Sequence, residues 1–174
     1  MNDFILPTEL VDLARRVIDE NRSAGLRIAV AESCTGGLVS AALTEIPGSS
    51  DVFEAGFITY SDHSKTALLG VAQDVLDAFG AVSLATAWAM AQGAVTKSGA
   101  DVAVAITGIA GPAGGSDRKP VGTVVFARAR KGDDPESAET DLRHYGDLGR
   151  GGIRLQAALC ALELLLPSSE IGGP

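Results

Sequence analysis

LRIAVAESCTGG, residues 26–37, sets a mostly apolar run of strand length directly against small polar residues and two adjacent glycines. A strand that is apolar at successive positions is one buried on both faces, as in parallel sheets covered by helices. Upstream, residues 7–23 place Leu10, Leu13, Ala14, Val17 and Ile18 at helical spacing, and Gly25 ends that pattern. Downstream, a helix is expected from about Thr35 to Thr44, a turn at Pro47–Ser50 and a second strand at Ala55–Ser61. Short helical pieces over 63–79 and an Ala-rich helix over 84–98, stopped by Gly99, lead to a third strand, DVAVAI, at 101–106. GTVVFARAR and residues 138–145 read as two further strands, an antiparallel pair at one edge. A last helix is expected over about 151–166.

Helices alternating with apolar strands predict an α/β fold: one layered α/β/α domain over residues 1–166 with a mixed, largely parallel sheet, and a tail over 167–174. The chain of 174 residues is long enough for one such core, and 46% hydrophobic against 21% charged residues excludes disorder as its general state. A net charge of −8 argues against nucleic acid as a partner, because no basic face is available to neutralise several phosphates. It leaves room for a small anion in a local positive pocket. No apolar run approaches membrane-spanning length and no secretory leader is present, so a soluble cytoplasmic protein with no membrane partner is expected. Cys34 and Cys160 are expected as free buried thiols, and no His, Cys or Asp spacing suggests a metal.

Four segments could carry chemistry. AESCTGG puts Ser33, Thr35, Gly36 and Gly37 at a strand-to-helix junction, where backbone N–H groups can face an anion or merely be capped. PGSS through SDHSK offers Ser50, Tyr60, His63 and Lys65. Lysine is scarce in this chain (Lys65, Lys97, Lys119 and Lys131), and burial that lowers an amine from about 10.4 toward 8 would make it a competent base for a serine. His63 beside Asp62 is the rival base, but adjacent side chains point in different directions. The Thr107–Gly122 loop carries Gly108, Gly111, Gly114 and Gly115 with Arg118 and Lys119, and it matches neither a Walker A loop nor a dinucleotide fingerprint. GDLGRGGIR, residues 146–154, offers Arg150 as an anion clamp, with Arg154 expected to pair with surface acids.

AESCTGG, PGSS followed by FITYS and Lys65, and TGIAGPAGGSDRKPVGTV resemble, in order and spacing, the CinA C-terminal domain family, in its stand-alone form. The likeness runs from about residue 8 to residue 166. It implies hydrolysis of the carboxamide of nicotinamide mononucleotide to nicotinate mononucleotide and ammonia, in pyridine-nucleotide recycling. It also implies a Ser-Lys mechanism that needs no metal and no cofactor. Carried over, Lys65 is the general base, and Ser33 and Ser50 compete as nucleophile with a lean toward Ser50. Tyr60, Thr107, Gly108 and Arg150, with Thr35, Gly36 and Gly37, support catalysis or bind the nucleotide. Relatives commonly read Gly-Asp-Arg before the last helix where this chain has Leu148, Gly149 and Arg150. A non-catalytic nucleotide-sensing or protein-binding module is the alternative function, and the exposed faces of a small Ala-rich domain suit a homodimer.

Overall fold

The computed structural model describes residues 4–171. Five strands, β1 (Ile28–Glu32), β2 (Phe53–Ile58), β3 (Val102–Gly108), β4 (Thr123–Arg130) and β5 (Glu139–His144), form one sheet in the order β2-β1-β3-β4-β5. β1 pairs in parallel with both β2 and β3, while β3–β4 and β4–β5 are antiparallel. The expected layered mixed α/β architecture and the antiparallel edge pair are therefore present.

Side-chain alternation on β3 builds the two faces. Val102, Val104 and Ile106 point toward α1 (Thr8–Ala24), α2 (Leu38–Thr44) and α6 (Gly149–Leu164). Ala103 and Ala105, with Ala29, Ala31, Ala127 and Ala129 of neighbouring strands, point toward α3 (Asp62–Leu69), α4 (Gln73–Phe79) and α5 (Leu84–Ser98). A face of alanines lets α5 settle close to the sheet. Gly93 of α5 then passes so near α3 that a Cβ there would lie 2.1 Å from the Leu69 carbonyl oxygen.

Because β2 and β3 lie on opposite sides of β1, the chain reverses direction across the sheet between β1 and β3. That switch point opens a crevice at the carboxyl ends of the strands, where α/β folds bind ligands. At the other end of the core, the buried Arg128 donates to Glu139 Oε2 at 2.6 Å, to the Leu164 carbonyl at 3.2 Å and to Ser169, holding the end of α6 to the sheet.

One element starts later than expected. The helix after β1 begins at Leu38, because Gly36 and Gly37 adopt left-handed backbone at φ 61° and 99°. Gly37 then serves as its N-cap residue without a side-chain cap.

Candidate active site

Ser33 is the first residue beyond β1, and its N–H donates to Ile106 O of β3 at 2.9 Å, fixing it at the switch point. Lys65 arrives from α3. That helix is started by a reciprocal cap in which Ser61 Oγ accepts from Ser64 N–H and Ser64 Oγ accepts from Ser61 N–H, both at 3.1 Å. One turn in, the Lys65 side chain runs beneath the end of the sheet with 1% exposure. Its Nζ lies 3.1 Å from Ser33 Oγ and donates to Thr59 O at 2.8 Å.

Burial pushes the Lys65 amine below its usual 10.5, while the charge of Asp62 pulls the other way. Lys65 forms no ion pair among the described residues. A neutral amine in this position donates to Thr59 O and turns its lone pair toward the Ser33 hydroxyl, which is the arrangement of a base with its nucleophile. Cys34, next in the chain, is raised to about 11 by burial, so it stays a thiol near neutral pH and is not the reactive group.

The two side chains open on a cavity of about 170 Å³ that is also lined by Cys34, Tyr60, Thr107 and Gly108. Thr107 Oγ1 donates to Ala81 O at 2.8 Å, joining the end of β3 to the far wall. Gly108 is needed for packing as much as for access: a Cβ there would meet Val124 Cγ2 at 2.8 Å and Cys34 Sγ at 3.1 Å. Arg150, at the start of α6, donates to Gly111 O at 2.8 Å and to Tyr60 Oη at 3.1 Å, closing the rim with the exposed Tyr60 ring.

Several expectations are corrected. Ser50 sits exposed in a single 3-10 turn, Ser49–Asp51, at the start of β2, whereas Lys65 follows its end. Six strand residues separate the two ends by about 20 Å, so Ser50 is not a partner of Lys65.

Thr35, Gly36 and Gly37 do not present an anion site either. The anion there is the protein's own. The fully buried carboxylate of Glu32 accepts from the N–H groups of Gly37, Val39 and Ser40 at 3.0, 3.2 and 2.8 Å and from Ser40 Oγ at 2.8 Å. Thr35 is fully buried and outside the cavity wall, and its carbonyl accepts from Arg154 Nη2 at 3.0 Å. Lys119 is tied to Phe79 O at 3.0 Å, and His63 is exposed at the start of α3.

Glu32, Arg154 and the Thr59 carbonyl are site residues that the sequence reading missed. Arg154 does not pair with surface acids; it donates Nε to Cys34 O at 3.1 Å as well as holding Thr35 O. Its spacing of four from Arg150, which puts both on one face of a helix, was the available signal. A backbone carbonyl leaves no mark in a sequence.

The model of the CinA C-terminal domain matches residues 10–168. Among curated relatives, the nicotinamide-nucleotide amidohydrolase PncC of Enterobacter agglomerans is 47% identical over 145 residues, 83% of this chain and 86% of that protein. A putative competence-damage inducible protein of Symbiobacterium thermophilum is 52% identical over 147 residues, 81% of this chain but 34% of the relative. The chain thus spans roughly a third of the length of several relatives it matches. Among solved structures, the competence/damage inducible protein CihA of Agrobacterium tumefaciens superposes with a TM-score of 0.87 at 48% identity, over 92% of this chain and 96% of that one.

Proposed function

The chain belongs to the CinA C-terminal domain family, and from that premise we propose that it is a nicotinamide-nucleotide amidohydrolase in which Ser33 is the nucleophile and Lys65 the base. The observation that carries the reading is the 3.1 Å contact between Lys65 Nζ and Ser33 Oγ in a buried pocket at the switch point. The similarity to PncC of Enterobacter agglomerans over most of both chains supports nicotinamide mononucleotide as substrate.

Neutral Lys65 takes the Ser33 proton as Oγ attacks the carboxamide carbon, giving a tetrahedral oxyanion. In the turn after Ser33, the N–H groups of Gly36 and Gly37 are committed to Ser33 O and Glu32 Oε2. That of Cys34, which lines the cavity, remains to meet the oxyanion. The Lys65 ammonium returns its proton to the departing nitrogen, which leaves as ammonia, and the Ser33 ester remains. Water, deprotonated by the same amine, then cleaves that ester and releases nicotinate mononucleotide. The product is a form that pyridine-nucleotide recycling can use.

The test is incubation of the purified protein with nicotinamide mononucleotide, followed by assay of ammonia and of the acid product. Ser33→Ala and Lys65→Met are each expected to lower kcat by about 10³-fold or more, and Ser50→Ala to change it by less than about twofold. Substantial turnover by Lys65→Met would remove the lysine from the reaction. Binding of the nucleotide by the intact protein with no ammonia release would favour a sensing module instead.

A further inference from the structure

Arg154 lies one helical turn beyond Arg150 on α6, outside the cavity wall, and forms no ion pair among the described residues. Its hydrogen bonds go to adjacent carbonyls of the turn that follows Ser33: Nε to Cys34 O at 3.1 Å and Nη2 to Thr35 O at 3.0 Å. The planar guanidinium can hold two acceptors side by side, which an ammonium on a flexible stem cannot. The turn needs such a hold. Gly36 and Gly37, both left-handed, bring no side-chain restraint of their own.

A trans peptide carries its N–H opposite its C=O, so a grip on one carbonyl sets where the next residue's N–H points. The grip on Thr35 O sets the Gly36 N–H, which donates to Ser33 O at 3.1 Å. The bond to Ser33 O in turn sets the Cys34 N–H, the group left to meet the oxyanion. Hydrogen bonds in such a chain polarise one another, so the positive charge at Thr35 O makes each N–H further along a stronger donor. Leu38 N–H also donates to Thr35 O, at 3.2 Å, but brings no charge. Glu32 holds the far end of the same turn through Gly37 N–H at 3.0 Å. The backbone beside the nucleophile is thus fixed between a buried carboxylate and a guanidinium.

We propose that Arg154 is a positioning residue for the reaction, aligning and polarising the Cys34 N–H without touching the reacting atoms. The inference rests on the proposed amidase reading and extends it to a side chain behind the nucleophile.

The experiment compares wild type, Arg154→Ala and Arg154→Lys in ammonia release from nicotinamide mononucleotide, in affinity for pyridine-3-boronic acid and in melting temperature. Boron accepts the Ser33 oxygen as Lys65 takes the proton, with no leaving group, and the tetrahedral adduct places an oxygen where the oxyanion forms. Loss of an oxyanion donor costs about 10²–10³ in kcat. Arg154→Ala is expected to lower kcat about 30-fold or more with KM changed less than about threefold, and to weaken the boronate by a similar factor. Arg154→Lys, which keeps the charge but not the fork, is expected to fall between, and it carries the test alone if the alanine variant does not fold. A lower melting temperature with kcat unchanged, a rise in KM alone, or a boronate affinity equal in all the proteins would overturn the proposal. If the wild type releases no ammonia, the amidase reading falls and the boronate still decides. Affinity lost in Arg154→Ala and partly kept in Arg154→Lys retains the positioning role; no adduct in any of the proteins removes it.

Discussion

Lys65 Nζ and Ser33 Oγ lie 3.1 Å apart although 32 residues separate them in the chain. The contact is assembled by two strand ends: β1 delivers Ser33, and β2 delivers Thr59, whose carbonyl holds the amine at 2.8 Å. The amine gains two polar neighbours and no carboxylate contact. Burial is consequently free to drive it toward the neutral form that a base requires.

The first consequence is a pH profile. With neutral Lys65 as base, kcat/KM rises with pH through the folded-state pKa of Lys65, which lies below 10.5. Asp62 opposes the depression, so Asp62→Asn is expected to lower that pKa further and move the rising limb to lower pH. Profiles of the two proteins side by side check this; a limb that stays in place or moves to higher pH would show that another group titrates.

The same burial has a cost in stability. Between the folded pKa of Lys65 and 10.5 the unfolded chain binds more protons than the folded one, so stability rises with pH across that window. Below the folded pKa the penalty of a buried ammonium is fully present. Lys65→Met removes the charge from a site that is 1% exposed, so the inactive variant is expected to be more stable than wild type at pH 6, by about 1–3 kcal/mol, with the advantage shrinking toward pH 10. Chemical denaturation at both pH values measures it; a variant less stable at pH 6 than at pH 10, relative to wild type, would reverse the sign.

Most of this architecture was legible in the sequence, and what was not has a physical reason. The apolar runs at Ile28–Glu32 and Val102–Gly108 announced buried strands, and the left-handed C-cap glycines at 25 and 99 marked two helix ends. Lys65 stood out as a scarce residue type in a polar segment. The choice between Ser33 and Ser50 was not legible, because it depends on which end of β2 each serine occupies, a property of topology rather than of either motif. Glu32 was invisible for a related reason. A carboxylate on a fully buried strand looks like an error until α2 is seen to turn its first N–H groups onto it.

Glu32 also bears on catalysis through its neighbour. Its carboxylate holds Gly37, Val39 and Ser40, and so fixes the turn that begins at Ser33. Glu32→Ala strands three N–H donors and a hydroxyl, with an expected loss of about 3 kcal/mol or more. Glu32→Gln keeps one acceptor oxygen but turns an amide NH2 against N–H donors, and should fall between the two. Thermal melts should rank wild type, Glu32→Gln, Glu32→Ala, and kcat should fall in the same order. An Ala variant as stable as wild type would mean that the turn does not depend on the carboxylate.

Gly93 couples packing to the reacting groups. Ordinary helix propensity favours Gly→Ala inside a helix by up to about 1 kcal/mol. At Gly151 of α6 nothing lies within 4 Å of the added Cβ, and Gly151→Ala is expected to realise part of that gain. At Gly93 of α5 the same Cβ would sit 2.1 Å from the Leu69 carbonyl oxygen and 2.9 Å from Leu69 Cβ, and backbone cannot rotate away as a side-chain tip can. Overpacking of this kind costs about 1–3 kcal/mol, enough to outweigh the propensity gain. Leu69 lies one helical turn beyond Lys65 on α3, so relief of the clash pushes α3 and carries the amine away from Ser33. Gly93→Ala is therefore expected to lower both the melting temperature and kcat, and Gly151→Ala to raise the first and leave the second unchanged. Equal behaviour of the two variants would show that α3 is not held against α5 at this contact.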